Sequence, residues 1–190
     1  MASVETDFQK IEIIDEADQQ VQRDVAYAMD FEPQYLRDNY KLFLPDRAMY
    51  MDGIVQSRFA YDAAYHETLV HPGMFQHPNP KRVAVIGGGE GATLREVLKH
   101  NTVEEVVMID IDPAIMELSR VHLKEWSDCA FLQNSLTRDG VSTSCFDNER
   151  ATVYAEDAIK WFKDRFLQDE LGENGKHPKF DVIIMDALYV

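Results

Sequence analysis

Apolar residues along this chain fall into short runs that stop abruptly at glycine or at an acid. Residues 82–86 form a β-branched run that ends at Gly87-Gly88-Gly89, which predicts a buried parallel strand followed by a turn that suits glycine. Residues 92–100 then place Leu94, Val97 and Leu98 at the spacing of a helix face turned toward a core. A second apolar run, 106–109, closes on Asp110 and Asp112. Strand, glycine turn, helix, strand and acid together predict a βαβ nucleotide-binding unit. The pattern continues downstream. Residues 113–123 read as a helix with Pro113 in its first turn. A third core strand spans 151–154 and ends in Glu156-Asp157-Ala158, and an amphipathic helix follows over 159–167. A fourth core strand over 180–185 ends in Asp186. The polar stretches 127–149 and 172–179 read as a surface excursion and a loop.

Upstream of this unit the periodicity changes. Residues 8–14 alternate as a half-buried strand does, and residues 49–56 read as strand, Asp52-Gly53 turn and strand, a hairpin signal. Between them, 15–46 is a polar, acidic insertion with helical stretches such as 19–29. Residues 62–69 read as a helix carrying Tyr65, His66 and Glu67, and Pro72, Pro78 and Pro80 then punctuate the way into the first core strand. The expected organisation is a small N-terminal β domain over 1–58 and a nucleotide-binding domain over 59–190.

The glycines suit close approach of backbone to a ligand, and the helix start beyond them offers free N–H groups. Asp110, about 20 residues after the glycines, suits a ribose diol. Glu90 changes the picture. A carboxylate inside the glycine turn repels a phosphate, and equally the carboxylate of S-adenosylmethionine. It favours a ligand with an adenosine end and a cationic tail that lacks an acid. Its bland alternative is to complement the helix dipole. Glu90, Asp110, Asp157 and Asp186 stand at or just beyond the carboxyl ends of four successive strands, the edge where ligands of open parallel sheets bind. Asp157 could accept the adenine amino group, and Asp186 lies where a transferring group would be.

Composition supports this reading without deciding it. Acids outnumber bases 34 to 19, for a formal charge of −15. That field disfavours nucleic acid and anionic membranes and favours cationic small molecules. With 45% hydrophobic residues the 190-residue chain can bury a core. Its sequence has no 18-residue apolar run, and its first residues lack the basic head and apolar stretch of a secretory signal. A cytoplasmic protein is therefore expected. Cys129 and Cys145 show no metal-ligand spacing and read as ordinary thiols. His66 and His71 have no acid or cysteine at ligand spacing, so no metal is expected.

Taken together, the segments 86–100 (IGGGEGATLREVLKH), 106–112 (VVMIDID), 65–72 (YHETLVHP), 51–57 (MDGIVQS), Glu156-Asp157-Ala158 and 180–186 (FDVIIMD) resemble the spermidine synthase family of aminopropyltransferases. The GGGEG form is most similar to the thermospermine and triamine/agmatine branches. The resemblance implies an α/β protein with a Rossmann-like parallel sheet of the class I methyltransferase type behind an N-terminal β domain. It implies decarboxylated S-adenosylmethionine as co-substrate, a polyamine acceptor (putrescine, agmatine or spermidine), no other cofactor and no metal, and a homo-oligomer, dimer or tetramer. By motif, Gln56 and Glu90 would hold the donor's aminopropyl side, and Gly87 and Gly89 would also bind the donor. Asp110 would take the ribose, and Asp157 with Ala158 the adenine. Tyr65 and His66 match positions lining the acceptor channel. Asp186 matches the catalytic acid, with Tyr65 assisting. Gln9 falls near a donor-contacting glutamine of the family.

The chain departs from the family where Asp-x-x-Asp-Pro is usual. Here Asp186-Ala187-Leu188-Tyr189 stands instead and Val190 follows, so the sheet is expected to break off after its fourth core strand. A methyltransferase and an inactive polyamine-binding subunit are the rival readings.

Overall fold

A computed structural model describes residues 2–16, 46–130, 132, 142–167 and 178–187. The helical stretch expected at 19–29 lies outside them. The chain divides into two compact units, Met1–Tyr65 and His66–Val190.

The first unit is an antiparallel meander of β1 (Ala2–Glu5), β2 (Lys10–Glu16), β3 (Asp46–Met51) and β4 (Ile54–Arg58), in that spatial order. Ile11 and Ile13 alternate inward from β2, as the period-2 pattern requires. The expected hairpin forms between β3 and β4. Asp52 and Gly53 take φ of 50° and 77°, the two left-handed conformations that a two-residue hairpin turn needs. Asp52 also ties the turn to β2, because its Oδ1 accepts from Lys10 N at 2.8 Å. The short strand β1 carries too little pattern to have been read from its residues.

The second unit holds a four-stranded parallel sheet. Its strands are β5 (Arg82–Gly87), β6 (Glu105–Asp110), β7 (Ala151–Ala155) and β8 (Val182–Asp186), in the order β7-β6-β5-β8. The chain steps outward from β5 to β7 and then returns to the far side of β5. The order therefore reverses between β5 and β8, and the carboxyl ends of these two strands form the crevice that such sheets offer to ligands. Asp181 fixes their amino ends, since its Oδ2 accepts from Lys81 N and Arg82 N, each at 2.8 Å.

Four helices accompany the strands: α1 (Asp62–Gln76), α2 (Ala92–Leu98), α3 (Pro113–His122) and α4 (Ala158–Phe162). The α1 helix runs through Pro72, where the sequence suggested a break. Proline costs the helix a hydrogen bond, but His66, Val70 and Met74, at i, i+4 and i+8, are all buried. That continuous stripe holds the helix across the proline. Asp112 caps α3 by accepting from Ala114 N, with Pro113 in the first turn. Arg150 closes the C-terminal end of α2 on the carbonyls of Leu98 and Val103 at 2.8 and 3.1 Å. The α4 helix is shorter than its amphipathic pattern predicts, and the chain continues over Lys163–Leu167 as a wider π turn. Beneath it Trp161, Val107 and Ile109 form a core ringed by Tyr154, Phe162, Phe166 and Phe180.

Cys129 and Cys145 are paired in a disulfide rather than being free thiols, which corrects the expectation. The described ends of the polar excursion pair with each other: Cys129 N donates to Thr143 O and Cys145 N to Ser127 O, each at 2.7 Å. This brings the two Cα atoms to 5.1 Å, a separation a disulfide spans. Nothing in the spacing of two cysteines signals such a pairing.

Candidate active site

The glycine turn after β5 is shaped by what it must clear. Gly87, Gly88 and Gly91 have positive φ, and Gly91 N closes the turn on Gly88 O at 2.8 Å. A Cβ on Gly88 would stand 3.0 Å from Asp186 Oδ2, and one on Gly89 would stand 2.8 Å from Asp110 Oδ2 and 2.2 Å from the Ile115 side chain. The turn thus seats two carboxylates, one from each neighbouring strand. Gly88 N donates to the Asp186 carbonyl at 3.1 Å. Gly89 N donates to Asp110 Oδ2 at 3.0 Å and Asp112 N to Asp110 Oδ1 at 2.9 Å.

Glu90, at the tip of the turn, is 9% exposed. Its Oε1 lies 3.1 Å from Nε2 of the buried His66 on α1. One ligating atom each from His66, Glu90 and Asp186 lies within 4.8 Å of the others. The sequence spacing gave His66 no acidic neighbour, and the fold brings it two. Such a set of one imidazole and two carboxylates suits a small cation, either a metal ion or an ammonium group. Asp186 Oδ2 further accepts from the hydroxyl of Thr93, in the first turn of α2, at 2.5 Å. Thr93 has no signature of its own in the sequence, because its partner is 93 residues away.

Asp110 has its carboxyl pushed up to about 6, chiefly by burial and also by the negative charge of Glu90, against the two backbone N–H groups it accepts. Glu90, Asp110 and Asp186 are thus gathered about one turn. Asp157 stands at the end of β7, where its Oδ1 accepts from Lys160 N at 3.1 Å and caps α4. Ala158 opens that helix. Glu156 N donates to the Asp110 carbonyl at 3.0 Å, linking the ends of β6 and β7.

Gln56 and Tyr65 belong to the first unit. Gln56, on β4, is half-buried, and its Nε2 lies 3.4 Å from Ile54 O. Tyr65 is 50% exposed on α1. Gln9 lies in the link between β1 and β2, where its N donates to Thr6 Oγ1 at 3.1 Å.

Residues 62–189 match the spermine/spermidine synthase domain. A polyamine aminopropyltransferase of Hyperthermus butylicus is 44% identical over 140 residues, covering 74% of this chain and 40% of that protein. The chain thus spans about 40% of the length of that curated relative. The crystal structure of a spermidine synthase from Thermotoga maritima superposes with a TM-score of 0.67 at 29% identity, covering 100% of this chain and 48% of that one. A spermidine synthase in complex with the transition state analogue AdoDATO also superposes with a TM-score of 0.67 at 29% identity, over 99% of this chain and 46% of that one. With its glycine turn, its parallel sheet and a domain match over residues 62–189, the chain belongs to the spermine/spermidine synthase family.

Proposed function

We propose that the complete protein transfers an aminopropyl group from decarboxylated S-adenosylmethionine to a polyamine, releasing methylthioadenosine. The observation that carries this reading is the cation cradle of His66, Glu90 and Asp186, set beside Asp110 at the ends of β5 and β6. Asp110 takes the ribose hydroxyls of the donor, and the end of β7 at Asp157 and Ala158 takes its adenine. Glu90, partnered by His66, attracts the donor's amine and disfavours a donor that still bears a carboxylate. Gln56 and Tyr65 serve the donor and acceptor sides respectively. We read the protein as a cytoplasmic homo-oligomer, and among its described residues no helix is long and apolar enough to cross a membrane.

In the reaction, the lone pair of a neutral acceptor amine attacks the methylene beside the sulfonium. The C–N bond forms as the C–S bond breaks, and the bonding pair returns to sulfur, which leaves as a neutral thioether. The acceptor amine, ordinarily protonated below a pKa of about 10, loses its proton to the Asp186 carboxylate, which also orients it. Because the leaving group starts as a cation, the displacement needs no metal to draw charge from it.

The test is release of methylthioadenosine by the complete protein with putrescine, agmatine and spermidine as acceptors. The same donor site is titrated by calorimetry with decarboxylated and carboxylated S-adenosylmethionine. We expect turnover with at least one acceptor and tighter binding of the decarboxylated donor. Tighter binding of the carboxylated form, with methyl transfer in place of aminopropyl transfer, rejects the reading.

Asp110 sets a pH dependence. Its raised folded-state pKa means that its contribution to stability is fully present below the ordinary carboxyl value of 3.8 and is lost as pH rises through about 6. Donor binding runs the other way, because ribose hydroxyls donate to the ionised carboxylate. Donor affinity is therefore expected to rise by about tenfold between pH 5 and pH 7. In Asp110→Asn affinity is weak and this rise is absent. A wild-type donor affinity that stays flat across the same range counts against the ribose role.

A further inference from the structure

Thr93 is wholly buried, yet a hydroxyl in a packed interior has to find a partner. Its partner is Asp186 Oδ2 at 2.5 Å, a separation typical of O–H···O⁻ bonds to an ionised carboxylate. The other side of that oxygen is bounded by the glycine turn. A Cβ on Gly88 would stand 3.0 Å from Asp186 Oδ2 and 3.5 Å from Thr93 Cβ. The carboxylate thus sits in a slot between a backbone without a side chain and a β-branched residue on α2. Full burial and the bond to Asp186 Oδ2 hold Thr93 in one of the two χ1 rotamers that threonine populates in a helix. It is therefore a firm post, whereas the terminal torsion of an aspartate is broad and soft.

We propose that Thr93 is a positioning residue for the reaction: its hydroxyl holds Asp186 Oδ2 so that the carboxylate presents Oδ1, the oxygen Thr93 does not engage, to the acceptor amine. The inference rests on the aminopropyl-transfer reading above. In the displacement, the proton lost by the attacking nitrogen arrives at Oδ1, while the Thr93 hydroxyl keeps its own proton and stays bonded to Oδ2. Valine in place of Thr93 keeps the shape and removes the donor. Serine keeps the donor and loses only a methyl group.

The experiment compares wild type, Thr93→Val and Thr93→Ser in the complete protein. It measures kcat and KM for methylthioadenosine release, donor affinity by calorimetry, and thermal unfolding. For Thr93→Val we expect kcat to fall by about 10- to 100-fold, the scale of a misplaced reacting group, with donor affinity unchanged. Thr93→Ser is expected to recover most of kcat. A purely structural role would lower the melting temperature without separating the serine and valine variants in kcat. Should Thr93→Val fail to fold, Thr93→Ala removes the same donor without adding a branched side chain and carries the same comparison. Valine and alanine variants with wild-type kcat, or a serine variant as impaired as the valine one, overturn the role of Thr93 alone. A wild type that releases no methylthioadenosine overturns the reaction, and the inference falls with it.

Discussion

Asp186→Asn is expected to lower kcat for methylthioadenosine release by about 10²- to 10⁴-fold, the range over which a positioned general base contributes. The substitution is nearly isosteric, and the asparagine carbonyl can still accept the Thr93 hydroxyl that now meets Asp186 Oδ2 at 2.5 Å. The local structure should therefore stay in place while the proton acceptor is lost. Donor affinity is expected to change little, because the adenosyl end is assigned to Asp110 and to the end of β7. Acceptor KM should rise as well, since one negative charge leaves a cradle whose ligating atoms lie within 4.8 Å of each other. Retained turnover in Asp186→Asn refutes the catalytic role. Loss of donor binding together with turnover would instead mean that the side chain mainly builds the pocket.

The features legible in the sequence are those written in local order. The βαβ unit could be read because a β-branched run, three consecutive glycines and an acid follow one another within 82–110. Strand ends could be read because Asp110 and Asp186 each close an apolar run. What escaped the reading lies between elements. The sequence places His66 and Glu90 24 residues apart, and only the packing of α1 in the second unit turns that imidazole onto the carboxylate. Thr93 is silent for the same reason. Pro72 reads as a break until the burial of His66, Val70 and Met74 is seen to carry α1 past it.

The glycines are the subtler case. Their presence predicts a turn, and the turn forms, but the sequence reading assigns them to the approach of a ligand. In the fold they make room first for protein groups: the Asp186 backbone beside Gly87, the Asp110 carboxylate and Ile115 beside Gly89, and Phe146 and Ser127 beside Gly91. The same absence of side chains that suits a ligand also lets two acids from adjacent strands close on one turn.

Gly87→Ala tests that account through stability. Gly87 has φ of 82°, and a Cβ there would stand 2.3 Å from the Asp186 carbonyl oxygen and 2.8 Å from its carbon. Gly87 and Asp186 are register partners of the parallel pair β5 and β8, so the clash is between backbones and no rotamer relieves it. The left-handed conformation costs an L-residue about 1–3 kcal/mol, and forcing the strand ends apart adds about 1–3 kcal/mol. A combined loss of about 2–6 kcal/mol is a large part of the 5–15 kcal/mol that holds a domain of ordinary stability. It should appear as a fall in melting temperature of about 10 °C for a chain of this size. Gly88→Ala provides the contrast. It has a similar φ of 73°, but the nearest atom its Cβ would meet is the Asp186 side-chain oxygen, at 3.0 Å, with the Val85 and Thr93 side chains at ordinary contact distance, and that carboxylate can swing aside. Gly88→Ala should therefore melt closer to wild type and yet lose turnover as Asp186 leaves its post on Thr93. If Gly87→Ala melts within about 2 °C of wild type, the strand ends are looser than their register implies, and the turn is not the wedge that seats Asp186.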